Sequence, residues 1–189
     1  SSLVPTLNSG SIEVVGVPGP EYVFSAPSES VTFDGNTGIG AFTALISASE
    51  VDNSAQGAPF PNPTQGFSMG LANDSALLTP LAVTATLPFS ADFAEANTLA
   101  DGWTIGVVYS FTGGATLTFE NSTEVVSVDY STNGSMAGDE TGTTVDLTWS
   151  DNLGSPAVAN VVVVDGGSFA ANFENGSIAL NPVITVDFI

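Results

Sequence analysis

Apolar and polar residues alternate with a period of two along most of this chain. In residues 115–120 (ATLTFE), 144–149 (TVDLTW) and 183–188 (VITVDF) the apolar side chains fall on one face and the polar ones on the other. Successive side chains of an extended backbone point to opposite sides, so each stretch predicts a half-buried strand. The same reading predicts strands at 21–25, 30–33, 39–47, 66–71, 81–87, 103–111, 124–130, 157–164 and 176–181, each bounded by Gly, Pro, Asn or Asp. About a dozen short strands at near-regular spacing predict an all-β fold, a two-sheet antiparallel β-sandwich of jelly-roll type.

Helix has room only as one or two short crossovers. In residues 90–99 (SADFAEANTL), Ser90 can cap, Asp92 and Glu95 suit the positive end, and Phe93, Ala96 and Leu99 keep a helical spacing. Residues 74–78 predict a second helical turn. Residues 50–65, with three prolines, and the glycine-rich 131–142 read as long loops. Strand patterns continue on both sides of each, so residues 21–189 read as a single sandwich domain behind an N-terminal extension, 1–20.

Composition narrows the chemistry. The 189 residues include no Lys, Arg, His or Cys, and twenty Asp and Glu give a formal charge of −20. Side-chain salt bridges and disulfides cannot form. An imidazole base, a thiolate nucleophile, a Schiff-base amine, an arginine phosphate clamp and a Cys/His zinc site are all excluded. Nucleic acids and anionic membranes need basic side chains, so neither is an expected partner. The longest apolar run, Val161 to Val164, is far short of the ~20 residues that span a bilayer, so no membrane insertion is expected. The hydrophobic fraction of 43% argues for a folded chain despite its charge.

What remains is carboxylate and oxygen chemistry. Glu120, Glu124, Asp129 and Asp146 are the candidates for a paired-carboxylate glycoside hydrolase, but most lie on the polar side of an alternating strand, where a solvated face is the simpler reading. No enzymatic activity is expected. No cofactor is expected either, except that calcium could be held by oxygens of turn-rich loops, with Asp34, Asn36, Asp139, Glu140 and Asp151 as candidates. None matches an EF-hand loop, and ordinary turn chemistry accounts for the same residues. Trp103 and Trp149 read as core, and Phe60 as an exposed loop residue. Sequons at Asn73, Asn121, Asn133 and Asn175 offer N-glycosylation and contact with glycans. The opening SSLVPTLNSG resembles a mature start after signal-peptide removal, and an acidic chain that trypsin cannot cut fits an extracellular, cell-surface setting.

The sharper expectation concerns the N-terminal extension. Ser11, Ile12, Glu13, Val14, Val15, Gly16 and Val17 read as a strand cut off by Pro18-Gly19-Pro20. Such a strand can fold back onto its own sandwich, or enter the groove of a second copy and build a head-to-tail filament. With this segment, the crossover SADFAEANTL and the late strand GSIALNP (176–182), the chain resembles TasA/camelysin-type biofilm fibre proteins and related archaeal bundling pili and threads. The resemblance implies a structural subunit of an extracellular filament or pilus, for adhesion or biofilm, self-assembling by donor-strand complementation through residues 11–17. The alternatives are a secreted β-sandwich module binding carbohydrate or calcium, and a surface-layer or capsid subunit.

Overall fold

A computed structural model describes residues 17–185. Twelve strands carry the fold: β1 (Tyr22–Ser25), β2 (Ser28–Asp34), β3 (Ala41–Glu50), β4 (Thr64–Ala72), β5 (Leu78–Ala85), β6 (Phe93–Leu99), β7 (Gly102–Val108), β8 (Thr123–Thr132), β9 (Thr143–Trp149), β10 (Val161–Val164), β11 (Gly167–Glu174) and β12 (Gly176–Val183). The expected all-β jelly-roll sandwich is the observed architecture.

One layer runs β5-β8-β3-β1 and the other β6-β7-β4. Beyond β4 the second layer forks, with β10 along one part of its edge and β9 at Leu71 and Ala72. From β9 the sheet continues through β12 to β2. β11 joins the layers, antiparallel to β10 and parallel to β1. Hydrogen bonding therefore runs unbroken around one side of the sandwich. On the other side, among the described residues, β5 and β6 are free edges.

The inward positions of the alternating strands meet in one core. Phe67, Met69 and Leu71 of β4 and Trp103, Ile105 and Val107 of β7 face Ile46, Val126, Val128 and Tyr130 of the other layer. The indole Nε1 of Trp103 donates to Tyr130 Oη at 2.8 Å, which lets two polar atoms enter the core without loss. Trp103 and Trp149 both pack as expected, and Phe60 is half-buried rather than exposed.

Two pairings are parallel, β1 with β11 and β2 with β12. They arise because the first and last parts of the chain kink side by side, at Ala26-Pro27 and at Asn175, so that each serves both layers. Ala26 N donates to Glu174 O at 2.9 Å and Ser177 N to Pro27 O at 3.1 Å. At this crossing the backbones nearly touch: a Cβ on Gly176 would lie 2.1 Å from Pro27 O. Only glycine fits there.

Residues 90–99 are not the expected helix. Residues 93–99 form β6, paired throughout with β7 from Phe93↔Val108 to Leu99↔Gly102. The ladder offered by β7 outweighs the weak local helical spacing. Asp92, read as a helix-start residue, instead accepts the N–H of Phe111 through Oδ2 at 2.9 Å. Residues 74–78 make a single turn, in which Leu77 N and Leu78 N donate to Asp74 O, before β5 begins. Among the described residues helix is confined to the 3-10 turn Ser54–Gln56. Residues 115–120 keep their alternation, with Phe119 buried, but form no strand of their own, meeting the sheet through a bridge from Leu117 to Thr64 and a hydrogen bond from Glu50 N to Phe119 O at 2.8 Å. β11 was not foreseen, and β12 absorbs the start of the 183–188 pattern, residues 186–189 lying outside the described part.

Candidate functional site

β4 carries the alternation to an extreme. Its inward positions are the bulky Phe67, Met69 and Leu71, while Gly66, Ser68 and Gly70 point outward. Paired residues share a face, so the ladder defines what surrounds this bare strip. Phe93, Val108, Gly66 and Val163 form one row across β6, β7, β4 and β10; Glu95, Gly106, Ser68 and Val161 form the next; Asn97, Thr104 and Gly70 form the third. Small residues along the middle leave a trough between β6 and the connection from β9 to β10.

That connection, residues 150–160, is sewn onto β4. Ser150 N donates to Gly70 O at 3.0 Å, Gly70 N to Asn160 Oδ1 at 2.7 Å, and Ser68 Oγ to Ala159 O at 2.6 Å. Asp151 Oδ1 accepts both the backbone N–H and the side-chain amide of Asn160, and Val158 N closes the loop on Leu153 O. A Cβ on Gly70 would lie 2.8 Å from Ser150 O, so this approach needs the bare strand. The loop covers one end of the trough and leaves Thr104 only 1% exposed.

The uncovered part is a solvent-open cleft of about 540 Å³. Gly106 and Thr104 make its floor, the outward side of β6 one wall, and Gly154, Ser155, Pro156 and Val158 the other. Phe93 stands at its mouth, 41% exposed, its ring 3.9 Å from where a Cβ on Gly106 would be. Glu95 lies in the same wall beside a residue without a side chain, and its carboxylate accepts no hydrogen bond among the described residues. The cleft thus combines apolar anchors, small polar groups and one unopposed negative charge.

The residues singled out from sequence lie elsewhere. Asp34 Oδ1 accepts Asn36 N at 2.8 Å in a tight turn. Asp139 Oδ1 accepts Thr141 N and Oγ1 and Gly142 N, and these bonds hold its carboxyl below the usual range. Glu140 is exposed beside it, and Asp151 serves the Asn160 latch. Among the described residues no three acidic side chains come together to hold a metal ion. Glu120, Glu124, Asp129 and Asp146 are exposed and dispersed, Asp129 accepting Thr43 Oγ1 at 2.6 Å. Asn121, Asn133 and Asn175 are exposed, whereas Asn73 is buried with its amide donated to Leu78 O at 3.0 Å. Of the expected donor strand, Ser11 to Gly16 lie outside the described residues, and Val17 is exposed and in no strand.

Sequence reading missed the cleft, although one signal for it was present: GFSMGL alternates bulky residues with nearly bare ones, so one face of that strand is left for something else to cover.

No protein-family model matches the chain, and no similar curated protein is found. Its fold is nevertheless shared with solved cohesins. The seventh ScaB type I cohesin of Pseudobacteroides cellulosolvens superposes with a TM-score of 0.60 at 14% identity, over 89% of this chain and 97% of that one. A Clostridium thermocellum cohesin, solved as the Coh-OlpC-Doc435 type I cohesin–dockerin complex, gives 0.62 at 12% identity, over 91% and 100%. The cohesin module of a Clostridium perfringens family 33 glycoside hydrolase gives 0.53 at 13% identity, over 87% and 98%.

These neighbours correct the resemblance drawn from sequence. The jelly roll is of the cohesin kind, not that of TasA/camelysin fibres or archaeal pili, and the features used, an apolar leading segment and a supposed crossover helix, are common to many sandwiches or absent here. The filament or pilus subunit assembled by donor-strand complementation, its biofilm role and its homo-oligomeric partner are overturned with it, because several neighbours are solved in complex with a different module, a dockerin. The carbohydrate-binding alternative finds no support among them.

Proposed function

We propose that this chain is a non-catalytic protein-binding module that docks a dockerin-like partner on the outer face of β6, β7 and β4, outside the cell. The carrying observation is the open cleft on that face, with Phe93 at its mouth and a glycine-floored trough behind it. A bare, rigidly held sheet face lets partner side chains descend to the backbone, and an exposed aromatic at the mouth of its cleft is the kind of anchor on which binding energy concentrates. The cleft lacks the buried, convergent polar groups that orient a small ligand. Solved neighbours of the same fold include cohesins bound to dockerins, which favours that class of partner. A side-chain set without imidazole, thiol, amine or guanidinium favours binding over catalysis.

The test is calorimetric titration of the full chain with purified dockerin modules encoded in the same genome. At least one should bind, and Phe93→Ala should weaken it about tenfold or more while the folded spectrum stays unchanged. If no dockerin binds, the reading fails.

A further inference from the structure

We propose that the partner meets this cleft with a basic face, and that a lysine or arginine from it pairs with Glu95. The proposal rests on the docking reading above and adds the chemistry of the partner.

Glu95 lies in the middle row of the trough, between Phe93 and Asn97 on the outward side of β6. Its neighbour across the ladder is Gly106, and across that Ser68, so nothing on the face offsets its charge among the described residues. The sequence contains no basic side chain that could do so. Any module seated between Phe93, Leu99, Pro156 and Val158 strips water from this carboxylate. A buried unpaired charge is strongly unfavourable, whereas a charge met by a guanidinium or ammonium regains its loss through a short, charge-assisted bond. The compensating cation must come from the partner.

The whole molecule acts in the same direction. With a formal charge of −20 its field repels acidic proteins and draws basic ones at distances where no contact exists. Such steering raises association rates and discriminates partners more than it adds affinity. Glu95 converts a diffuse attraction into a register, because it is the charge inside the cleft.

The experiment measures association rates of the same purified dockerin modules, sorted by the charge of their docking face, against the full chain. Wild type, Glu95→Gln and Glu124→Gln are compared at about 50 and 500 mM NaCl. Glu124 is exposed on β8 in the opposite layer. Basic-faced modules should bind, with an association rate that falls about tenfold or more at the higher salt. Glu95→Gln should weaken them severalfold, and Glu124→Gln far less. Preference for acidic or neutral modules, a rate indifferent to salt, or equal effects of the two substitutions would overturn the basic partner while leaving docking intact. Binding by no module would overturn the docking reading, and this inference with it.

Discussion

Asp151 Oδ1 holds both nitrogens of Asn160, each at 2.8 Å, while Asn160 Oδ1 takes the buried N–H of Gly70 at 2.7 Å. One asparagine therefore ties the wall of the cleft to its floor. Asn160→Ala should leave Gly70 N without its acceptor and take one of the two donors from Asp151 Oδ1, the backbone N–H of residue 160 remaining. We expect a loss of about 1–3 kcal/mol in denaturant unfolding, together with weaker docking.

Glu50 is buried, and among the described residues no cation lies beside it. Asn62 N donates to its Oε2 at 2.8 Å and Asn62 Nδ2 to its Oε1, which fastens the 50–65 loop over the core. Asn62→Ala should cost about 1–3 kcal/mol, because it removes the side-chain hydrogen bond to a buried carboxylate while the backbone N–H of residue 62 still donates to the other oxygen. Glu50→Gln, which keeps the shape and one acceptor, should cost less. Urea midpoints at neutral pH check both.

Gly176→Ala would put a methyl group 2.1 Å from Pro27 O at the crossing of the first and last parts of the chain. Backbone lies on both sides, so there is no flexible side chain to move. The expected loss is about 3 kcal/mol or more, seen as a sharply lower melting temperature. Gly57→Ala has open space but a left-handed φ of 86°, and should cost only about 1 kcal/mol.

Stability should pass through a maximum in mild acid. Burial raises the Glu29 carboxyl above its ordinary value, and its Oε1 is buried without a partner. The folded chain therefore binds this proton more readily than the unfolded one, so the penalty for its charge, full at neutral pH, is relieved as pH falls through the raised value. General repulsion among twenty carboxylates is relieved over the same range. Asp52 and Asp139 have the opposite sign: hydrogen bonds from Ser54 and from Thr141 lower them, and that contribution is present above the unfolded value and lost as pH falls through the folded one. Glu29→Gln should raise neutral-pH stability and flatten the gain on acidification, whereas Asp139→Asn should flatten the loss in stronger acid. Urea midpoints across pH 2–8 decide, and added salt should reproduce part of the gain at neutral pH.

The all-β class and the burial of Trp103 and Trp149 followed from the sequence alone, because period-two alternation is a local consequence of extended backbone and needs no knowledge of which strand lies next. The missing Lys, Arg, His and Cys likewise narrowed the available side-chain chemistry to carboxylates, hydroxyls and amides without any coordinates. Residues 90–99 were misread because a helix and an edge strand both satisfy their local pattern; the decision belonged to β7, whose ladder is distant information. The parallel pairs at the Pro27–Gly176 crossing and the cleft were decided only by tertiary structure. Phe93 and Glu95 of β6, Gly106 of β7, and Pro156 and Asn160 of the β9–β10 connection come from three separate stretches of chain, and a surface assembled by sheet register leaves almost no mark on any one of them.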